Sequence, residues 1–280
     1  MHVLVTGATG FVGSRLVPTL VERGHEVSVL TRDADGYDGA AQTVYEGDVL
    51  EAGSFEHALE SVDAAYYFIH SMGASDDFAE NDRRGAHNFQ RAASEAGLDR
   101  VIYLSGLGDD RIDLSPHLAS RREIETILGQ GSFDLTTLRA AVIIGKGNTS
   151  FDLVKQLSTR LPILVTPYWI QVDCQPIDIS DVVAYLVGVL ETPETAGHTY
   201  DIGGDEVLTY AELLTRTADA ADRRTVIVPS RLQTTRLASF WAQFVTDVSA
   251  DVAAHLIEGL ENEVTVEDTS IRDVVPIELT

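Results

Sequence analysis

Two side chains that could exchange protons and hold charge lie four residues apart near the middle of the chain. His117 and Arg121 occur in LSPHLASRREIE, residues 114–125, and a spacing of four places both on one face of a helix. An unperturbed imidazole has a pKa of about 6.5, so His117 could serve as acid or base near neutral pH. Arg121 stays charged and lowers the pKa of a neighbouring histidine. The pair is therefore compatible with catalysis without requiring it.

A glycine-rich loop at the start of the chain predicts a dinucleotide site. In VTGATGFVG, residues 5–13, Gly7, Gly10 and Gly13 are three apart, between a strand-like and a helical segment. The first glycine permits a tight turn, the second lets backbone N–H groups approach a pyrophosphate, and the third lets the helix pack against the strand. The helix then directs its positive end at the phosphates. The alternative is a glycine-rich turn without a ligand.

The end of the second predicted strand distinguishes two dinucleotides. An acidic residue about 20 positions after the glycines favours NAD, whereas an arginine accommodates the 2′-phosphate of NADP. Arg32 can bind a phosphate through two N–H groups, and Thr31 can add a hydroxyl, whereas Asp33 could reach the ribose diol of NAD. This pattern favours NADP, with NAD as the alternative. Asp48 could accept a hydrogen bond from the adenine amino group or only form a turn after Gly47.

Strand and helix patterns alternate through the first half of the chain. Strands are predicted at 2–7, 26–32, 43–48, 64–70, 100–106 and 135–144, and helices at 11–23, 55–61, 78–96 and 116–128. Short apolar strands separated by helices predict βαβ units and a parallel sheet buried on both faces. Right-handed crossovers make such a sheet doubly wound. The predicted fold class is α/β, a doubly wound parallel Rossmann sheet with a smaller C-terminal α/β lobe.

The pattern changes after Gly145. Helices are predicted at 178–191, with Asp178 or Ser180 as N-cap, and at 209–222, with strands at 198–204 and 224–230 and further helices at about 232–246 and 249–260. No linker rich in Pro, Ser or Gly separates the two halves. We therefore expect an NAD(P)-binding Rossmann domain at 1–145 and a C-terminal substrate lobe at 146–280, with segments at about 175–204 packing back onto the sheet.

The charge of the chain restricts its partners and surroundings. The formal net charge is −24, and Lys146 and Lys155 are the only lysines. A nucleic-acid partner is not expected, because phosphates require a basic surface. Acidic, lysine-poor surfaces resemble those of halophilic proteins, in which concentrated salt screens the repulsion between like charges. We interpret the acidity as adaptation to a salty cytoplasm, with an ordinary acidic protein as the alternative.

Several further classes of protein are not expected from the sequence. The sequence contains no run of 18 or more apolar residues, so no membrane span is predicted. The strand-like start leaves no room for a signal segment, so we expect a cytoplasmic protein. The single cysteine, Cys174, cannot form an internal disulfide, and no Cys/His cluster has the spacing of a metal site. The expected partner is a small-molecule substrate, and the sequence leaves the oligomeric state open.

Together these motifs resemble the short-chain dehydrogenase/reductase superfamily in its extended or atypical branch, which uses the Gly-x-x-Gly-x-x-Gly spacing. Four segments are similar to NAD(P)H-binding proteins of the NmrA-like, complex I 39-kDa-subunit-like and nucleoside-diphosphate-sugar-epimerase-like groups. These segments are LSPHLASRREIE, LRAAVIIGKGNTSFDLV, RLPILVTPYWIQVDCQPIDISDVVAYL and YDIGGDEVLTYAELL. The resemblance runs over nearly the whole chain and implies a Rossmann fold and a nicotinamide cofactor. It leaves the reaction open, since these groups include both reductases and proteins that only bind or sense the cofactor.

The resemblance also implies roles for particular residues. It places Gly7, Thr9, Gly10, Phe11 and Val12 around the pyrophosphate, Arg32 at the 2′-phosphate, Asp48 and Val49 at the adenine, Ile69, His70 and Ser71 along the nicotinamide ribose, and Ala140, Val142 and Ile143 beside the nicotinamide. Ser105 matches the active-site Ser or Thr of the family. His117 falls at the position of the Tyr that protonates the substrate in most members of the family. Arg121 falls at the position of the Lys that binds the nicotinamide ribose, and an arginine can still bind that ribose.

The substrate is expected between the nicotinamide and the C-terminal lobe. The aromatic candidates are Tyr168, Trp169, Phe240, Trp241 and Phe244, although the helical spacing of the last three is more typical of a core. If they line a pocket, a flat or hydrophobic substrate such as a quinone becomes plausible. We see no basic cluster in this lobe to hold a sugar diphosphate.

Three functions are compatible with these residues. The first is an NADP(H)-dependent oxidoreductase acting on a small carbonyl, quinone or isoprenoid-like substrate, which Ser105 and His117 would orient or protonate while Arg121 holds the cofactor. The second is a redox sensor or assembly factor that binds NADP(H) without turnover, as the absence of the Tyr/Lys pair suggests. The third is a nucleotide-sugar epimerase, against which the absent Tyr counts.

Overall fold

A doubly wound parallel sheet is the framework of the protein, whose computed structural model describes residues 1–70, 78–108, 114–230, 246–248, 257 and 262–280. The strands are β1 (His2–Thr6), β2 (Glu26–Thr31), β3 (Thr43–Glu46), β4 (Ala64–Tyr67), β5 (Arg100–Gly106), β6 (Asp134–Ala140), β7 (Ile143–Ile144), β8 (Ile163–Pro167), β9 (Asp173–Cys174), β10 (Ile177–Asp178), β11 (Thr199–Ile202), β12 (Leu208–Thr209) and β13 (Val226–Ser230). Seven of them pair in the order β11-β6-β5-β4-β1-β2-β3, all parallel. The predicted fold class, including the smaller C-terminal lobe, is confirmed.

Helices cover both faces of this sheet. The helices in the described part of the chain are α1 (Gly13–Glu22), α2 (Phe78–Ala96), α3 (Pro116–Leu128), α4 (Thr149–Arg160), α5 (Ile179–Glu191), α6 (Tyr210–Ala220) and α7 (Ile271–Val274). On one face α1 and α5 bury Leu20 and Leu186, and on the other α2 and α3 bury Phe89 and Ile124. Burial on both faces explains why the strands are apolar along their length. Among the described helices, none combines the length and apolarity needed to cross a bilayer.

The strand order reverses at the centre of the sheet. The chain runs outward from β1 through β2 to β3, and then returns to the other side of β1 to form β4, β5 and β6. The carboxyl ends of β1 and β4 therefore diverge into loops on opposite sides of a crevice. In open parallel sheets ligands bind in this crevice, outside the carboxyl ends of the strands.

The chain returns to the sheet after Gly145. β11 pairs with β6, from Thr199 opposite Thr137 to Ile202 opposite Ala140. The preceding helix α5 is capped by Asp178, whose Oδ1 accepts the N–H of Ser180 at 2.8 Å. A short carboxylate acceptor at this position satisfies one of the free N–H groups of the first turn.

Two predicted elements differ from the structure. The strand predicted at 135–144 ends at Ala140, because the next residues change partner and Ile143–Ile144 pairs with Ile177–Asp178 instead. The helix predicted at 55–61 is a single 3₁₀ turn, Glu56–Leu59. The helices predicted at 232–246 and 249–260 fall, except for residues 246 and 257, outside the described part of the chain.

The smaller lobe contains a helix that the sequence analysis missed. α4 is capped by Asn148, whose side-chain oxygen accepts the N–H groups of Ser150 and Phe151. It packs with α6 beside the strand pairs β8–β13 and β9–β12. Cys174 lies buried in this lobe, where burial raises the pKa of its thiol to about 12. The thiol therefore behaves as a small apolar group, not as a reactive thiolate.

Candidate functional site

The glycine loop lies against the end of β4. Gly7 has a φ of +67°, and a Cβ added there would lie 2.8 Å from the carbonyl oxygen of Phe68. A Cβ on Gly13 would lie 2.4 Å from the carbonyl oxygen of Gly7, which in turn accepts the N–H of Gly10 at 3.0 Å. The three predicted glycines thus form one tight turn that admits no side chain at its first and last positions.

The start of α1 is available to an anion. Val12 occupies the N-cap position and supplies no side-chain hydrogen bond to the first turn. Uncapped N–H groups and the helix dipole favour a negatively charged ligand there. Thr9, Phe11 and Val12, which the resemblance places around the pyrophosphate, all lie in this loop and first turn. The residues present therefore fit a dinucleotide pyrophosphate.

Arg15 fixes this loop to the second half of the chain, a contact that the sequence analysis missed. Its guanidinium donates to the carbonyl oxygens of Phe11 and Lys146, each at 2.6 Å, and lies 4.3 Å from the centroid of the Phe11 ring. Gly145 packs against the same ring, since an added Cβ would lie 2.8 Å from Phe11 Cζ. The loop is thus held from both sides, by Phe68, which follows β4, and by the segment after β7.

A depression of about 340 Å³ lies at the ends of β2 and β3 and is lined by Arg32, Glu46, Gly47, Asp48, Glu51 and Ser54. Within the described part of the chain the exposed guanidinium of Arg32 makes no hydrogen bond or ion pair. Asp33 Oδ1 accepts the N–H of Gly36 at 3.0 Å, so this carboxylate serves a turn. Asp48 Oδ1 likewise accepts the N–H of Leu50 at 2.9 Å, so this carboxylate oxygen also serves a turn.

Val49 lies beneath α2 next to this depression. It is buried, and its carbonyl oxygen accepts a hydrogen bond from Asn88 Nδ2 at 2.8 Å. The glutamates at the rim, Glu46 and Glu51, bring negative charge close to Arg32. With Asp48, three carboxylates therefore line the depression around the guanidinium of Arg32, where the adenosine ribose is expected.

A second group of polar side chains gathers where β4 and β5 end. His70 Nδ1 lies 2.6 Å from Asp82 Oδ2, and the Asp82 side chain is completely buried. The ring of His70 lies 5.1 Å from that of His117, centroid to centroid. Arg121, one helical turn further along α3, donates from Nη1 to the carbonyl oxygen of Leu104 at 3.2 Å. The structure thus brings His70, His117 and Arg121 together at this edge of the sheet.

Ser105 completes this group at the end of β5. Its side chain is buried, and its Oγ has no hydrogen-bond partner in the described part of the chain. A buried hydroxyl without a partner costs about 1–3 kcal/mol, so such an atom calls for an explanation such as a bound ligand. Ser105 is therefore suited to contact a substrate or cofactor.

The buried groups around this site have shifted pKa values. Burial is the main cause that lowers the pKa of His70; Arg121 lowers it further, and the bond to Asp82 opposes both effects. Burial raises the pKa of Tyr103, whose hydroxyl donates to the carbonyl oxygen of Arg121 at 3.3 Å. Burial also raises the pKa of Tyr67. His70 is therefore neutral near pH 7, and the two tyrosines stay protonated.

The remaining predicted site residues are distributed along the same edge. Ile69 packs against the core beneath α2. Ala140 ends β6, and its carbonyl oxygen accepts the N–H of Leu107, while that of Val142 accepts the N–H of Ile177; Ile143 begins β7. Several predicted site residues lie outside the described part of the chain: Ser71, the side chains of Tyr168 and Trp169, and the aromatic residues at 240, 241 and 244.

Asp82 was not predicted from the sequence, although its position on α2 carries a signal for it. Asp82 lies on the face of α2 that also carries Gly85, Ala86 and Phe89, three, four and seven residues further on, and all four are buried. A carboxylate on an otherwise apolar helix face is rarely buried without a partner. In the described residues no three His, Cys, Asp or Glu side chains approach one another as a metal site would require.

A glycine turn at the switch point of a doubly wound sheet, with an uncapped helix start beside it, defines a protein that binds a nicotinamide dinucleotide. Residues 7–161 match the family described as NAD(P)H-binding. The chain belongs to this family, within the atypical short-chain dehydrogenases/reductases, and the resemblance inferred from its motifs is confirmed.

Comparisons with individual proteins agree with this assignment. The chain is 27% identical over 75% of its length to "NADH dehydrogenase [ubiquinone] 1 alpha subcomplex subunit 9, mitochondrial" of Dictyostelium discoideum, and spans 61% of that relative. It is 28% identical to a 2-alkyl-3-oxoalkanoate reductase of Stenotrophomonas maltophilia, over 76% of this chain and 74% of the reductase. A solved nucleoside-diphosphate-sugar epimerase from Staphylococcus aureus shares the fold, with a TM-score of 0.79 at 15% identity over 100% of this chain and 97% of that chain.

The fit of Gly7 against Phe68 leads to a prediction about cofactor binding. Gly7→Ala should destabilise the protein by about 1–2 kcal/mol because of its positive φ, and should weaken NADPH binding at least tenfold because the loop must move away from Phe68. Gly24→Ala is the matched control, since Gly24 has a φ of +87° with nothing within 4 Å of an added Cβ. It should lose stability similarly and keep the native affinity. Equal affinities for NADPH in the two variants, measured by nicotinamide fluorescence, would contradict this account of the loop.

Proposed function

We propose that this protein is an NADP(H)-dependent oxidoreductase that transfers hydride between the cofactor and a small carbonyl, quinone or isoprenoid-like substrate. The buried Oγ of Ser105, which has no hydrogen-bond partner among the described residues, carries this proposal. Arg121 donates to the carbonyl oxygen of Leu104, the residue before Ser105, and His117 lies against His70 after the neighbouring strand. A hydroxyl and an ionisable ring at the same edge of the sheet supply a hydrogen-bond donor and a proton-transfer group for a reacting oxygen. The reductase relative supports the same class of reaction.

The residues on the cofactor side have separate roles in this proposal. The start of α1 would hold the pyrophosphate, Arg32 the 2′-phosphate, and Arg121 the nicotinamide ribose. Asp33 already serves a turn through one carboxylate oxygen, which favours Arg32 as the residue that recognises the ribose. Glu46 and Glu51 weaken the preference for a 2′-phosphate through their charge, so NAD remains the alternative cofactor.

The substrate side depends on three side chains. The bound cofactor supplies or accepts the hydride. Ser105 would donate a hydrogen bond to the substrate oxygen, and His117 would orient or protonate it. Arg121 stays charged at neutral pH, and its field favours negative charge that develops on that oxygen. The missing Tyr is thereby replaced by groups that the structure brings to the same edge of the sheet.

A second candidate is a protein that binds NADP(H) without turnover, as a redox sensor or assembly factor. It is favoured by His117 and Arg121 standing where the Tyr and Lys of the family usually do, and by the relative that is named as a subunit of an NADH dehydrogenase. A nucleotide-sugar epimerase is a third candidate, suggested by the fold of the Staphylococcus aureus structure. The acidity of the chain counts against binding of a sugar diphosphate.

The proposed role of Arg32 predicts a change in cofactor preference. Arg32→Gln should weaken NADPH binding at least tenfold and leave NADH binding unchanged, because only NADPH carries the 2′-phosphate. Arg223→Gln is the control, because it removes the same charge from an exposed residue on the smaller lobe. Titrations followed by nicotinamide fluorescence give both dissociation constants. An equal loss for NADPH and NADH in Arg32→Gln would assign Arg32 no specific role.

The enzyme and the binding protein differ in what His117→Ala removes. If the protein is an oxidoreductase, this variant should lose at least tenfold in kcat for NADPH-dependent reduction of menadione or 9,10-phenanthrenequinone, with NADPH affinity within about threefold of native. A native protein that binds NADPH and reduces neither quinone, nor any of a panel of small ketones, would instead support the binding protein. Arg223→Gln again controls for nonspecific effects.

We also propose that the net charge of −24 adapts the protein to concentrated salt. The range of repulsion between its carboxylates falls from about 10 Å at 0.1 M salt to about 3 Å at 1 M. The urea midpoint of unfolding should therefore rise steadily from 0.1 to 2 M KCl. A midpoint that does not respond to KCl would indicate an ordinary acidic protein.

A further inference from the structure

Asp82 and His70 form a buried carboxylate–imidazole pair, and the role predicted for His70 along the nicotinamide ribose does not use this pairing. The distance from Nδ1 to Oδ2 is 2.6 Å, and the side chains are 11% and 0% exposed for His70 and Asp82 respectively. An ionised carboxylate oxygen can only accept, so Nδ1 must carry the hydrogen. In the neutral ring, Nε2 then holds an unshared lone pair. Asp82 thus determines which nitrogen of His70 can accept a proton.

Nε2 of His70 is itself unpartnered. It is buried and makes no hydrogen bond with any described residue. The Oγ of Ser105 is in the same condition, and the two residues follow neighbouring strands, since β4 pairs with β5 in parallel register. Two buried polar atoms without a hydrogen-bond partner among the described residues, an acceptor nitrogen and a hydroxyl, therefore lie at one edge of the sheet. A ligand that carries a hydroxyl or carbonyl oxygen would satisfy both.

Among the described residues, the charged and titratable groups around His70 and Asp82 come from four elements. α2 contributes Asp82, α3 contributes His117 and Arg121, and the strands contribute the buried phenols of Tyr67 and Tyr103. Burial and Arg121 lower the pKa of His70, whereas Asp82 raises it without cancelling them. The neutral ring with a free Nε2 is therefore the form present at neutral pH.

We propose that Nε2 of His70 is the proton acceptor of this site, positioned by Asp82, and that the substrate it serves is a secondary alcohol. This inference rests on the proposed oxidoreductase function. The hydride leaves the carbinol carbon for the oxidised nicotinamide, and the hydroxyl proton passes to Nε2. The products are a ketone, the reduced cofactor and an imidazolium that returns its proton to water. Ser105 and His117 orient the oxygen, and Asp82 acts only through the ring it holds.

The tautomer of His70 can be measured without any turnover. Long-range ¹H–¹⁵N NMR of the full-length labelled chain distinguishes the two neutral forms, and His70→Asn assigns the His70 signals among the eight histidines. The native ring should carry its hydrogen on Nδ1 at pH 7.5. Asp82→Leu, which removes the acceptor, should move the hydrogen to Nε2. A native ring with its hydrogen on Nε2, or a tautomer that does not respond to Asp82→Leu, would overturn the proposal.

The catalytic half is tested with NADP⁺ and two flat secondary alcohols, 1-indanol and 1-tetralol. Native kcat should rise with pH through the pKa of His70 and then level off, because the neutral ring is the active form. Asp82→Asn removes a charge that raises this pKa, so the rise should shift to lower pH, and the weaker base should lower the plateau. His70→Asn should lower kcat by about 10²–10⁴-fold and abolish this limb.

The controls separate this inference from the proposed function. His198→Asn changes an exposed histidine on the loop before β11 and should leave kcat and its pH profile as in the native protein. A His70→Asn variant with kcat within about threefold of native and the same pH profile would overturn the role of His70 and leave the oxidoreductase intact. A native protein that binds NADPH but transfers hydride neither from these alcohols nor to the quinones would contradict both.

Discussion

The close approach of the β1–α1 loop to the end of β4 is the constraint on which the site depends. Gly7 adopts a positive φ, and the carbonyl oxygen of Phe68 occupies the space of its missing side chain. This contact brings the uncapped start of α1 next to the residues that follow β4, and Arg15 anchors the same loop to the segment after β7. A pyrophosphate held by this turn would therefore direct the rest of a dinucleotide towards the ends of β4 and β5.

The other end of the crevice is built around buried polar atoms. Ser105 and His70 each have a buried polar atom that makes no hydrogen bond within the described part of the chain, while the side chain of Asp82, which bonds to His70, is fully buried. Burying such groups opposes folding, because water no longer solvates them. Perturbed titratable groups of this kind concentrate at functional sites. The arrangement therefore agrees better with a site for a reacting oxygen than with a sheet edge retained only for stability.

Much of this organisation follows from the sequence, because it depends on local patterns. Three glycines three residues apart predict the turn, alternating apolar strands and helices predict the sheet, and a spacing of four predicts that His117 and Arg121 share one face of α3. The bond from Asp82 to His70 could not be predicted in this way, since it depends on how α2 crosses the end of β4. The strand predicted at 135–144 fails for a similar reason, because its last residues exchange partners with a segment more than thirty residues away.

The central claim is that the crevice between β1 and β4 holds a nicotinamide dinucleotide with a 2′-phosphate. Titration of the native protein in molar KCl with NADPH and with NADH, followed by nicotinamide fluorescence, tests it most directly. We predict saturable binding of both cofactors, with NADPH the tighter. Equal or tighter binding of NADH would indicate that a residue other than Arg32 recognises the adenosine ribose. The absence of binding by the folded protein would contradict the account as a whole.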